Sequence, residues 1–154
     1  MVAVHKITED FYEDNFILIA LHSSLPDYAL TYAINSSLKA SFIRSKKDLD
    51  LSNIISFPFF EWEDEINDRY WTLITNSSRN KENIITADLF KDEVTFTRHY
   101  LVPEHKEIDY FLKIEEEDAY MVEDLLKALT TIPKIITAYK IDAENLKSKN
   151  NLIF

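Results

Sequence analysis

Apolar residues recur along this chain at two spacings, and the switch between them marks out its elements. Phe16-Ile-Leu-Ile-Ala-Leu21 is short, apolar on both faces and rich in β-formers, which predicts a central strand covered on both sides. A helix follows. Ser24-Leu-Pro-Asp27 has the spacing of a capping box, Pro26 suits a first turn that needs no N–H donor, and Leu25, Tyr28, Ala29, Tyr32 and Ala33 recur at helical spacing. Asn35-Ser-Ser37 ends that pattern, and a strand through Ala40, Phe42 and Ile43 is expected after it.

Two further strands are predicted at roughly 55–62 and 70–76, joined by the polar connector Glu63–Asp68, with a loop from Ser77 to Asn83. Alternation is clearest later. Val94, Phe96, Arg98 and Tyr100 alternate with Thr95, Thr97 and His99, and Ile108, Tyr110, Leu112 and Ile114 alternate with Asp109, Phe111 and Lys113. Read as one hairpin, this register pairs Val94 with Ile114, Phe96 with Leu112 and Tyr100 with Ile108, and sets His99 across from Asp109. Its loop is Pro103-Glu-His105, with His105 in the left-handed region.

Acidic residues around Asp118 suit the positive end of a helix over about 119–131, whose buried stripe is Met121, Val122, Leu125, Leu126 and Leu129. Pro133 stops it. A strand over 134–140 and a short helix over 142–147 complete the chain. With no linker or repeat, residues 1–154 read as a single domain, an α+β fold in which two main helices pack on one face of a mainly antiparallel sheet.

Composition narrows the chemistry. None of the 154 residues is glycine, where about ten are ordinary. Phosphate-cradling loops, dinucleotide fingerprints and nucleophile elbows all need glycine for close backbone approach or positive φ, so no nucleotide cofactor is expected. Asn76, Asn80 and Asn83 become the candidates for left-handed backbone. The absence of cysteine excludes disulfides, thiolate metal sites and cysteine nucleophiles. With 27 acidic against 17 basic residues, the net charge of -10 repels polyphosphate, so no direct nucleic-acid contact is expected. The first fifteen residues carry Glu9, Asp10, Glu13 and Asp14 where a secretory signal has basic and apolar stretches, and the longest apolar run falls well short of the ~18 residues of a membrane span. A cytoplasmic location without membrane contact is the expectation.

Val102-Pro-Glu-His-Lys-Glu-Ile-Asp-Tyr110 resembles the signature of the bacterial IPExxxVDY family, with Val102 and Ile108 as conservative departures. Residues 14–28, Ala33-Ile-Asn35 and Leu49-Asp-Leu51 also look like that family. The resemblance implies a small bacterial cytoplasmic domain and names no substrate, cofactor or partner.

Three groups of residues are candidates for function. The motif positions Val102, Pro103, Glu104, Ile108, Asp109 and Tyr110 contain acid–base residue types, yet Asp109 and Tyr110 point to opposite faces of a strand, which favours a structural role. His22, Ser24, Asp27, Tyr28 and Tyr32 lie where a strand gives way to a helix, a place for a small-molecule pocket, although Ser24 serves more simply as a cap. Phe57, Phe59, Phe60 and Trp62, rimmed by Glu61, Glu63, Asp64 and Glu65, form a candidate surface for a protein partner unless a helix or the segment 152–154 buries them. Glu115-Glu-Glu-Asp118 lacks the spacing of a calcium loop. The leading expectation is therefore a non-enzymatic domain that binds another protein, and the alternative is a small-molecule binder or enzyme using the His22 group.

Overall fold

The computed structural model describes residues 16–52, 55–66, 68–82, 95–115 and 122–154, with the backbone alone at 79–82 and 95–97. In chain order these form β1 (Ile17–Ser23), α1 (Asp27–Leu38), β2 (Ile43–Arg44), β3 (Leu49–Asp50), β4 (Ser56–Phe57), β5 (Phe59–Asp64), β6 (Arg69–Thr75), β7 (Ser77–Glu82) and β8 (Thr95–Tyr100). A 3-10 turn at Pro103–His105 leads to β9 (Tyr110–Glu115), α2 (Val122–Thr130), β10 (Ile135–Ile141) and two more 3-10 turns, Ala143–Asn145 and Lys149–Leu152. Six strands make one antiparallel sheet in the order β10-β1-β9-β6-β5-β2, while β3 with β4 and β7 with β8 form two-stranded ribbons. The mixed α and β content and the antiparallel sheet match the expectation from sequence.

Both faces of the sheet are buried, which is why its central strands are apolar on both sides. On one face, Ile19, Leu21, Leu73, Leu112 and Ile114 share an apolar cluster with Leu30 and Ile34 of α1 and Leu129 of α2. On the other, Leu18, Ala20, Ile74 and Phe111 pack with Phe57, Phe59, Leu101, Val102 and Ile108, and with Ala143, Leu146 and Leu152 of the C-terminal turns. Lys113 lies among these strands only 1% exposed, its Nζ 4.2 Å from the Phe154 ring centroid and 3.7 Å from a Glu115 carboxylate oxygen. Burial lowers its pKa, and Glu115 offsets part of that shift.

The predicted hairpin does not form. β9 is inserted between β1 and β6, with Leu112 opposite Ile19 and Leu73, whereas β8 pairs with β7, which places Tyr100 opposite Ser77 and His99 opposite Ser78. Alternation identified both strands correctly but could not name their partners. Phe111 and Lys113, which alternation sets on the face opposite Leu112 and Ile114, are buried as well, as a strand covered on both sides requires. Val94 lies outside the described residues, as do 116–121 and hence most of the acidic run and Met121. The segment from Ser77, expected to be a loop, begins with β7.

Without glycine, left-handed backbone falls to other residues. Among the described residues, Lys39 (φ 53°), Asp68 (φ 51°) and Lys134 (φ 76°) take positive φ. Neither His105 nor Asn76 does, contrary to expectation; Asn80 lies in β7, and Asn83 is outside the described residues. Lys39 directly follows the last residue of α1, a position where glycine is usual.

Candidate functional site

One end of the domain is built from the motif. Asn76, fully buried between β6 and β7, donates from Nδ2 to the carbonyls of His105 and Ile108 at 2.9 Å each, and its Oδ1 accepts the Val102 N–H at 2.9 Å. Its backbone N–H and C=O bond to Asp109 and Leu101 as well. Through its side-chain amide and its backbone, Asn76 therefore bonds to five residues of the Leu101–Asp109 loop: Leu101, Val102, His105, Ile108 and Asp109. From that loop, Glu104 accepts hydrogen bonds from the N–H groups of Lys147 (2.7 Å) and Ser148 (3.1 Å) and from the Ser148 hydroxyl, fastening the C-terminal turns. Burial works against its ionisation, but these hydrogen bonds prevail and lower the Glu104 pKa.

Asp109 and Tyr110 grip the turn that follows β1. Asp109 Oδ2 accepts the Ser23 N–H at 2.9 Å, and the Tyr110 hydroxyl donates to the Leu25 carbonyl at 2.5 Å. Burial, and then the charges of Asp27 and Asp109, push the Tyr110 phenol up to about 12. The expected pairing of Asp109 with His99 is thus replaced by one with Ser23, because the two strands belong to different sheets.

The His22 group is divided between the surface and structural partners. Tyr28 and Tyr32 are 69% and 76% exposed on the outer side of α1, Ser24 is exposed, and Asp27 Oδ1 accepts the adjacent Tyr28 N–H at 2.7 Å. The predicted cap at Ser24 is also absent, since the helix starts from Pro26 without a side-chain cap. Its neighbour organises the turn instead. Ser23 Oγ donates to the Lys134 carbonyl at 2.8 Å and accepts the Leu25 N–H at 3.2 Å. The His22 ring stacks on Tyr139, with Nε2 3.0 Å from the phenol oxygen, so serine and histidine are committed to different partners. Among the described residues, no cluster of three or more His, Asp or Glu side chains is placed to hold a metal ion.

The aromatic run is mostly core. Phe59 and Phe60 are buried because β5 lies inside the sheet between β6 and β2, with Phe59 5.8 Å from the Phe154 ring, and Phe57 of β4 is buried in the apolar cluster against the sheet. The acidic rim stays at the surface as expected, and Trp62 is half-buried beside it. Glu61, Glu63, Asp64 and Glu65 line an open groove with Ser41, Ile43, Trp62 and Ile66, in which Ile43 is 66% and Ile66 94% exposed. Glu61 also accepts the Tyr70 hydroxyl at 2.8 Å; burial first, then that bond and the Glu61 charge, push Tyr70 up to about 12.

Across the sheet from the motif, Ile17, Ile114, Trp71 and Trp62 form one row of register-paired positions over β1, β9, β6 and β5. This row lies at the base of a partly open cavity of about 200 Å³, flanked by Leu38 of α1 and by Val122, Leu125 and Ala128 of α2, with Arg69 and Asp124 also in its lining. Both tryptophans of the chain belong to it, packed edge to face at 5.3 Å. Sequence reasoning missed this site because its floor takes one residue from each of four strands, and nothing along the chain announces such a row. No family model matches this chain, and neither a curated protein nor a solved structure does.

Proposed function

We propose that this chain is a non-catalytic binding domain of the bacterial cytoplasm, a member of the IPExxxVDY family, in which two helices cover one sheet face and the edge at β2 and β5 docks another protein. The groove at that edge carries the reading: two exposed isoleucines, Ile43 and Ile66, sit among the four carboxylates of Glu61, Glu63, Asp64 and Glu65. Exposed aliphatic side chains inside a carboxylate ring suit a protein segment that mixes aliphatic and basic residues, since apolar contact supplies affinity and opposite charge supplies orientation. The net charge of -10 argues against nucleic acid at this surface. No helix among the described residues is long and apolar enough to cross a membrane. The commitment of Ser23, His22 and Asp109 to structural hydrogen bonds supports the absence of acyl-transfer chemistry at the β1–α1 turn.

Fluorescence anisotropy with a synthetic peptide of alternating isoleucine and lysine, and with its glutamate counterpart, tests this. The lysine peptide should bind, and should release as salt rises from about 0.1 M to about 1 M and screening shortens. A folded Ile43→Ser, Ile66→Ser double variant should not bind it. Equal binding of the glutamate peptide, or unchanged binding by the double variant, would refute the docking groove.

A further inference from the structure

From the cavity between the sheet and the two helices, we infer a second, independent site: a pocket for a small uncharged apolar molecule carrying one hydrogen-bond acceptor. It shares only Trp62 with the docking groove. Of the described side chains that line the cavity, Ile17, Leu38, Ile114, Val122, Leu125 and Ala128 are aliphatic and Trp62 and Trp71 aromatic, leaving Arg69 and Asp124 as charges of opposite sign. Such a lining favours a neutral ligand over an ion. A volume of about 200 Å³ restricts it to something near the size of one substituted aromatic ring.

The acceptor follows from Trp71. Its side chain is only 7% exposed, and the indole Nε1–H is buried with no hydrogen-bond partner among the described residues. Buried donors are almost always paired, because leaving one unmet forfeits the hydrogen bond that water would have made. The nitrogen itself is covered, so a ligand carbonyl or ether oxygen in the cavity would meet this donor as the Trp71 ring turns toward it. Trp62 and Trp71, edge to face with ring centroids 5.3 Å apart, give the aromatic wall against which a ring can pack.

Acetophenone and ethylbenzene, nearly the same shape but with and without a carbonyl oxygen, separate the two parts of this inference. The chain contains just two indole N–H groups, so a proton–nitrogen correlation spectrum reports on both directly. Titration of the labelled protein should move both indole signals with either compound, and only acetophenone should shift the Trp71 N–H strongly downfield. Trp71→Phe, which removes the donor, should lower the ratio of acetophenone to ethylbenzene affinity by about tenfold. If neither compound perturbs the indoles, the cavity is not a site. If both bind but the Trp71 N–H responds equally to each, the acceptor is refuted while the cavity stands; the wild-type spectra decide this even if the variant fails to fold.

Discussion

Asn76 is the residue on which the motif loop depends most, and removing its side chain should have a large, calculable effect. In Asn76→Ala, the Val102 N–H loses its acceptor inside a fully buried site, and the carbonyls of His105 and Ile108 lose their donors. An unmet buried N–H costs about 1–3 kcal/mol and a carbonyl with a second lone pair less, giving a loss of about 3–5 kcal/mol. Against a typical total of about 5–15 kcal/mol that is a serious fraction. With a urea slope of about 2 kcal/mol/M for a chain of this size, the unfolding midpoint should fall by about 2 M. Asn76→Asp adds a sign test. Its carboxylate still accepts from Val102 but faces two carbonyls, so its pKa should be raised in the fold. Its stability should then be highest at low pH and decline as pH climbs through that raised value. A midpoint for Asn76→Ala within about 0.5 M of wild type, or an aspartate variant indifferent to pH, would refute the assignment of this amide as the loop's anchor.

The strained positions and the titrating groups give three more expectations. Lys39→Gly relieves a left-handed backbone at the end of α1, and should raise stability by about 0.5–1 kcal/mol in urea melts, even though glycine loosens the unfolded chain. The phenols of Tyr70 and Tyr110 are raised to about 12, so their contribution is intact below about 10, the unfolded value, and drains away between about 10 and about 12; Tyr110→Phe should flatten that alkaline loss, measured by circular dichroism. The lowered Glu104 carboxyl works in the opposite sense, with stability present above its unfolded pKa and lost as pH falls through the folded value. Glu104→Gln should remove that acid dependence and quicken amide exchange at Lys147 and Ser148, which mass spectrometry after deuterium labelling can read.

How far the sequence revealed the fold depends on how local each signal is. The double-sided apolar run at 16–21 marked β1 as central, and Leu18 to Leu21 are indeed fully buried between β9 and β10. The helical spacing after Pro26 and the stop at Pro133 each decide structure within a few residues and fall where expected, whereas β5 runs through Asp64, two residues into the predicted connector Glu63–Asp68. Strand partners are another matter. Tyr110 to Ile114 joins Ile17 to Leu21 because both are covered on two faces, and the loop before Tyr110 is held by Asn76, a residue distant in sequence that sequence reasoning singled out only for its tolerance of left-handed backbone. The motif was legible as a pattern, but its work became clear only when Glu104, Asp109 and Tyr110 were seen to bond to residues 148, 23 and 25. At the aromatic run, sequence left open which side was solvated, and the packing of Phe154 on Phe59 closed the face.

On the proposed reading, the molecule has a motif end that holds the fold and an opposite end that binds a ligand. The ligand-induced rise in melting temperature with acetophenone, compared between Tyr110→Phe and the cavity-filling Ala128→Phe, tests that division most directly. Tyr110→Phe should melt about 2–4 °C below wild type, from loss of a hydrogen bond worth about 1 kcal/mol, and keep the full ligand-induced rise. Ala128→Phe should melt close to wild type and show no rise. The reverse pattern, with the response lost at Tyr110 and kept at Ala128, would contradict it.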